Sequence, residues 1–319
     1  MDRLTEGTVF PSSSFDPERA AEELRKAMKG LGTDEKAIIR VLSGHSNEQR
    51  LGIVKQYKTL YGKDLKADLK SELGGKFERL CLALLEPPRR FDAIECRDAI
   101  KGLGTNEAAL IEILCSRTNE EIVEIRKEYK ELYKRDLEKD VVSETSGHFK
   151  RLLVSQLTAN REDGYLFDSD RAKTDAQELY DAGAGKLGTD ESVFNKILSS
   201  RSYNQLLATF ETYRSLYGKD IYDSIKSETS GYLKEGCLAI VDLARSRPEY
   251  FAKRLYYSMK GAGTTDSTLI RVIVSRCEID MCEIKQAFER KYAKTLASFI
   301  TGDTSGDYRR LLLTLAGDQ

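Results

Sequence analysis

Apolar residues recur at intervals of three and four along nearly the whole chain, and the breaks between these runs are short, polar and often glycine-containing. That period predicts amphipathic helices rather than strands. Asp16-Pro17 opens a segment carrying Ala20, Leu24, Ala27 and Met28, which Gly30 and Gly32 end. Thr33 is the expected cap of a second helix, with Asp34 and Glu35 placed against its dipole and Ile38, Val41 and Leu42 on its apolar face. Ser46 is the expected cap of a third, carrying Leu51, Val54, Tyr57 and Leu60 and ended by Gly62. Asp64 opens a short fourth helix running to Glu72, and Phe77, Leu80, Cys81 and Leu84 mark a fifth.

This unit repeats. KGLGTDE at 29–35 returns as KGLGTNE at 101–107, GKLGTDE at 185–191 and KGAGTTD at 260–266. The last glycines, Gly32, Gly104, Gly188 and Gly263, are 72, 84 and 75 residues apart. The acids Glu72, Glu144, Glu228 and Asp303 advance by the same steps, as do Tyr61, Tyr133, Tyr217 and Tyr292. Three landmarks in one register make the chain four copies of a unit of roughly 70 residues, which predicts twenty helices. The longer middle step falls on the polar stretch 158–170, the best linker candidate, and shorter breaks fall at Pro87-Pro88 and Pro248.

Composition narrows the function. With 51 Lys plus Arg against 52 Asp plus Glu, a strongly basic nucleic-acid binder is excluded as the default. No run approaches the roughly 18 to 20 apolar residues of a membrane span, and the first ten residues do not read as a signal peptide, so a cytoplasmic protein is expected. The six cysteines form no CxxC pair and read as reduced core thiols, and two histidines leave little material for a zinc site.

The chemistry lies in the glycine loops. Two glycines permit backbone conformations that residues with a Cβ avoid, so alternate carbonyls can be aimed at one point. Calcium accepts backbone carbonyls among roughly six to eight oxygens but also needs negative charge. The charged residue that recurs in register is the acid 40 positions beyond the last glycine. One bidentate carboxylate and three carbonyls give about five ligands, leaving the shell open to water or an external phosphate oxygen. For one copy a plain helix connection and a solvated acid would explain as much; the fourfold recurrence favours a site. KGLGTDE lacks the third glycine of GxGxxG, and GxxxxGK[ST] and DxDxDG patterns are absent, so nucleotide-loop and EF-hand readings have no support.

On these loops and acids the sequence resembles the annexin family from about Ser14 to Gly317. The resemblance implies an all-α fold of four homologous five-helix repeats, each a right-handed bundle, arranged as a curved disc with calcium loops on its convex side. It implies calcium-dependent binding to acidic phospholipid membranes, with phosphatidylserine-like headgroups. The implied calcium ligands are the carbonyls of Met28, Gly30 and Gly32 with Glu72; of Ile100, Gly102 and Gly104 with Glu144; of Gly183, Lys186 and Gly188 with Glu228; and of Met259, Gly261 and Gly263 with Asp303. Leu31, Leu103, Leu187 and Ala262 are the loop tips, and the three leucines are then shallow membrane contacts. The expected organisation is an N-terminal arm over 1–13 and repeats over 14–86, 87–158, 159–246 (with the linker) and 247–319.

The third loop departs by an inserted residue and Lys186, and the fourth by its shorter Asp303, which is expected to give a weaker site. His45 stands where the other copies have Arg117, Arg201 and Arg276, and reads as a local packing or hydrogen-bonding change. Asp92, Glu95, Glu112, Arg117, Arg271 and Asp280 match residues that line a hydrophilic passage in annexins; an inter-module salt-bridge network is the preferred reading. Pro11 and the serines at 12–14 argue against a partner-binding helix in the arm. The expected function is a calcium-switched peripheral protein recruited to the inner face of membranes. A helical scaffold for protein partners is the alternative, and an enzyme ranks last because no nucleophile and base stand out. Self-association on membranes is compatible with the resemblance and not decided by it.

Overall fold

The computed structural model describes residues 6–318 except 31, 103, 186, 187 and 262. Among the described residues there are twenty α-helices and no strand. The first five are α1 Pro17–Ala27, α2 Glu35–Ser43, α3 Asn47–Tyr61, α4 Leu65–Glu72 and α5 Gly75–Leu84. They are followed by α6 Pro88–Ile100, α7 Glu107–Ser116, α8 Asn119–Tyr133, α9 Leu137–Glu144 and α10 Gly147–Leu157. The third group is α11 Ser169–Ala182, α12 Glu191–Ser200, α13 Tyr203–Tyr217, α14 Ile221–Glu228 and α15 Gly231–Arg245. The last is α16 Arg247–Met259, α17 Asp266–Arg276, α18 Met281–Tyr292, α19 Leu296–Asp303 and α20 Gly306–Leu315.

Local chemistry sets most helix ends. Asp16 accepts from the amides of Glu18 and Arg19 with Pro17 in the first turn, and Ser46 with Gln49 forms a reciprocal capping box. Gly62 and Gly218 end α3 and α13 in the left-handed conformation at φ 64° and 65°. Two expectations shift. The cap of α2 is Asp34, which accepts from Ala37 N, and not Thr33. The buried stripe of α3 is Arg50, Ile53 and Tyr57, whereas Leu51, Val54 and Leu60 are only half-buried.

The chain divides into two compact units, Met1–Phe91 with Phe251–Gln319, and Asp92–Tyr250. In each the core is aliphatic and aromatic, with Leu24, Ile38, Leu80 and Ile270 fully buried in the first unit and Leu110, Leu153, Phe194 and Ile240 in the second. The repeated tyrosine of the third helix packs edge-on or tilted against the ring one turn earlier, at 5.0 Å for Tyr57–Tyr61 and Tyr129–Tyr133 and 5.1 Å for Tyr213–Tyr217 and Phe288–Tyr292. The facing position of the first helix differs: Arg25 and Arg97 lie over their tyrosines, while Tyr180 and Tyr256 stack on theirs at 3.9 and 3.7 Å.

Before α1 the chain is an extended strap. Thr8 N and Val9 N donate to Cys277 O, Cys282 N donates to Glu6 O, and Ser12 exchanges two hydrogen bonds with Gln49. Gly7 is required by contact, because a Cβ there would lie 2.6 Å from the Glu278 carbonyl carbon. The strap thereby ties α18 to α3.

Candidate calcium and membrane site

Each first helix ends at a loop whose closure is the same in all four copies. The residue preceding or opening the second helix donates its amide to the end of the first: Asp34 to Ala27 at 2.9 Å, and Asn106 to Ala99, Asp190 to Ala182 and Thr265 to Ser258 at 2.7 Å. The third closure spans one residue more, which is where the inserted residue is absorbed. Gly30, Gly102 and Gly261 hold φ of 120°, 121° and 118°, and Gly32, Gly104, Gly188 and Gly263 hold 86°, 88°, 85° and 96°. A Cβ at any of these glycines would meet nothing within 4 Å, so the backbone conformation alone demands glycine there. All seven are exposed. Met28, Ile100 and Met259 end their helices with buried side chains, which anchor the loop at its first residue.

The distant acids come to these loops through a threonine. Thr33 Oγ1 donates to Glu72 Oε2 at 3.2 Å, and Thr189 Oγ1 to the Glu228 main-chain oxygen at 2.9 Å and its Oε2 at 3.0 Å. Thr264 Oγ1 donates to the main-chain oxygen of Asp303 at 3.1 Å and also to its carboxylate, while Thr105 Oγ1 reaches the Glu144 main-chain oxygen at 3.3 Å. Freed from capping, the threonine tacks the end of the fourth helix to the glycine loop. Gly183 is pressed from the other side, since a Cβ there would stand 3.0 Å from Glu228 Cγ and 3.2 Å from the Phe194 ring. Sequence reasoning did not give the threonine this part, although a threonine follows the last glycine in every copy. Lys186, Leu31, Leu103 and Leu187 lie outside the described residues.

The acids also meet in pairs. Glu72 and Asp303 line one cleft of about 450 Å³ in the first unit, with Glu35, Asp307 and Lys76. Glu144 and Glu228 line one of about 540 Å³ in the second, with Glu107, Glu191 and His148. Lys76 pairs with Asp266 at 2.7 Å, and His148 Nε2 lies 3.7 Å from Glu191 Oε2. Glu72 and Glu144 are exposed, Glu228 and Asp303 half-buried. An exposed carboxylate beside a glycine loop held open to solvent suits a hard cation that keeps part of its shell for another ligand. Among the described residues no cluster of three His, Cys, Asp or Glu side chains could hold a metal. No helix of the described residues is long and apolar enough to cross a membrane.

The same spacing of helices and loops is found elsewhere. The family pattern described as Annexin matches residues 19–84, 91–155, 174–240 and 250–315. The chain belongs to the annexin family. It is 55% identical over 317 residues to annexin A7 of Homo sapiens, covering 99% of this chain and 65% of that one. The chain thus spans just under two thirds of the length of that annexin. Among solved structures, one described as annexin III superposes with a TM-score of 0.97 at 46% identity, over 99% of this chain and 98% of that one. A calcium-bound annexin (Sm)1 superposes with a TM-score of 0.88 at 35% identity, over 98% and 93%. Annexins are known for calcium-dependent phospholipid binding, and the four repeats of this annexin carry the loops described above.

Three arginines pair with aspartates close by. Arg117 donates to both oxygens of Asp92 at 2.9 and 2.8 Å, Arg201 to both of Asp175 at 2.7 and 2.9 Å, and Arg276 to both of Asp280 at 2.7 and 2.6 Å. Asp92 holds the fully buried Arg117 guanidinium charged. Each of these three pairs lies within one repeat, and Glu95, Glu112 and Arg271 are buried as well. In the first repeat His45 Nδ1 instead sits 2.8 Å from Val41 O, with its ring edge-on to Phe15, a local packing change as expected.

Proposed function

We propose that this annexin binds acidic phospholipid membranes in a calcium-dependent manner, through one loop in each repeat, the repeats running 14–86, 87–158, 159–246 and 247–319. The loop carbonyls of Met28, Gly30 and Gly32, of Ile100, Gly102 and Gly104, of Gly183, Lys186 and Gly188, and of Met259, Gly261 and Gly263 are the oxygens offered, with Glu72, Glu144, Glu228 and Asp303 supplying the charge. Bound calcium would supply a positive centre shared between these oxygens and a lipid phosphate. The chain's own part is to hold the loop backbone open and to keep each acid at its loop. The observation that carries the reading is the hydrogen bond by which the loop threonine reaches the acid 39 residues onward in all four repeats.

Leu31, Leu103 and Leu187 are read as shallow apolar contacts with the bilayer, and phosphatidylserine-like headgroups as the preferred ligand. Calcium and membrane then raise each other's affinity by reciprocal linkage. Recruitment from the cytoplasm to the inner face of a membrane follows from the same reading, and no enzymatic activity is proposed. Replacing Glu72, Glu144 and Glu228 by Gln and Asp303 by Asn together tests it. Sedimentation with phosphatidylserine vesicles should lose its calcium dependence while the helical circular dichroism is unchanged, and Glu72→Gln alone should shift the calcium requirement modestly. Co-sedimentation of the folded quadruple variant at the parent's calcium concentration would refute the assignment.

A further inference from the structure

Three consecutive apolar side chains in the segment joining α10 to α11 stand in solvent: Tyr165 is 80% exposed, Leu166 92% and Phe167 60%. Exposed apolar groups in one place mark a contact surface. The segment is tied down on both sides of this tip. Glu162 N donates to Ser200 O at 2.8 Å, Asn204 Nδ2 to Gly164 O at 3.2 Å and Asp168 N to Gln205 Oε1 at 2.8 Å, while Gln205 Nε2 returns to Asp168 O at 3.0 Å. The fold already meets the ordering cost that a loose loop would bear on binding. Asp163 and Asp168 flank the tip, so its recognition chemistry is aromatic and aliphatic with an acidic border. Ser200 ends α12, about 15 Å along that helix from the Gly188 loop. The tip is therefore tied to the end of α12 remote from the Gly188 loop.

The first unit contains a complementary surface. α2 and α20 leave a groove of about 670 Å³ between them, with Ile39 and Leu313 in its lining and Lys36, Arg40 and Arg310 bringing positive charge. Arg40 pairs with Glu23, and Arg310 with Asp307 at 2.6 Å, but both arginines are more than half exposed, and such surface pairs are weak in water. The groove's acid, Asp318, is held by Lys285 at 2.9 Å. In the second unit the counterpart junction, α12 with α10, is bridged by side chains: Gln156 Nε2 donates to Ser199 Oγ at 2.9 Å and Asn195 Nδ2 to Ser155 Oγ at 3.3 Å.

We infer that the tip 163–168 of one copy docks in the α2–α20 groove of a second copy. The contact joins two different surfaces, so it is made either head to tail, giving rings or open rows, or twice across a two-fold axis. Its small size makes it weak and transient in dilute solution. It gains weight where copies are concentrated, as they would be on a membrane, and that clause alone rests on the function proposed above.

The experiment uses two full-length chains with different tags, one carrying Leu166→Cys and the other Thr314→Cys, mixed and treated with a short bismaleimide without calcium or lipid. Five native thiols are buried and Cys282 is half-buried, so a mixture of parent chains sets the background. The mixed covalent dimer should form at least about tenfold faster than between the Leu166→Cys chain and a chain carrying cysteine at exposed Ser143. Arg40→Glu with Arg310→Glu in the groove chain should return the rate to that control, and Asp163→Lys in the tip chain should restore part of it. Cross-linking no faster than the Ser143 control, or indifferent to the charge reversal, overturns the proposal. So does a fluorophore on Leu166→Cys that responds to vesicles and not to a second copy. None of these readouts uses calcium binding, so their failure leaves the calcium proposal standing, and failure of the quadruple acid test leaves this one standing.

Discussion

Arg50 donates from Nη2 to Glu278 Oε1 at 2.6 Å, joining residues 228 positions apart, with the arginine side chain 1% exposed and the glutamate 28%. The same guanidinium donates to the main-chain oxygens of Leu84 at 2.9 Å, Leu42 at 2.9 Å and His45 at 2.6 Å. Glu278 Oε1 also accepts from Asn47 N at 2.8 Å. One buried cation thus satisfies carbonyls at the ends of α2 and α5 and reaches the segment between α17 and α18. The other repeats place an arginine five residues earlier, at Arg117, Arg201 and Arg276, and spend it on a nearby aspartate.

Truncating Arg50 leaves those carbonyls without their donor, so Arg50→Ala should destabilise the chain by about 3 to 5 kcal/mol. Glu278→Gln keeps an acceptor and should cost only about 1 kcal/mol. Urea unfolding followed by circular dichroism measures both. Equal effects of the two substitutions would show that the ion pair, and not the carbonyl network, carries the stability.

Thr189→Val keeps the side-chain shape and removes the hydrogen bonds to Glu228. Stability should fall by about 0.5 to 1.5 kcal/mol. If the threonine positions the acid, a variant in which the other three acids are neutralised, leaving Glu228, should need more calcium for vesicle sedimentation once Thr189→Val is added. An unchanged calcium requirement would reduce the threonine to a structural tether.

Asp140 is held below the ordinary carboxylate range, first by hydrogen bonding to Arg135, then by Tyr129, with burial opposing and Arg97 assisting. Arg135 Nη2 donates at 2.6 Å, Tyr129 Oη at 2.7 Å and Arg97 Nη1 at 3.2 Å. Because the folded value is depressed, the unfolded chain takes up the proton first as pH falls. The contribution is therefore complete above the ordinary value of about 3.9 and lost as pH drops toward the folded value. Asp140→Asn should lower the unfolding midpoint most at about pH 7 and progressively less as pH falls below about 3.9. The third repeat has Ser224 at this position, 3.0 Å from the Tyr213 hydroxyl, and Ser224→Ala should show no such dependence.

Burial pushes the thiols of Cys115, Cys237 and Cys277 up to about 12 and raises Cys81 as well. Cys282, half-buried under the strap, is raised too, first by burial. At about pH 8 a thiol-disulfide reagent should therefore titrate Cys282 slowly in the native protein and the others only on unfolding, because the thiolate is the reacting species. Rapid reaction of several thiols in the native state would contradict the packing around them.

The period, the helix count and most helix ends were legible in the sequence because they depend on neighbours a few residues away. Asp16 before Pro17, Ser46 with Gln49, Gly62 and Asp64 each act through hydrogen bonds or backbone conformations within one turn. The recurrence of the acid 40 residues beyond each last glycine was legible for the same reason, as a repeat in register. Tertiary packing decided the rest. Thr33 could have capped α2, but Asp34 does so, and the threonine hydroxyl goes to Glu72 because α4 ends beside the loop. Leu51 and Val54 looked like the inner face of α3, yet Arg50 is the residue buried, since only the assembled ends of α2 and α5 and the distant Glu278 supply enough oxygens to satisfy a guanidinium out of water. A helix end is fixed by a local exchange of hydrogen bonds, whereas the partner of a buried charge is fixed only when chain segments far apart in sequence are packed together.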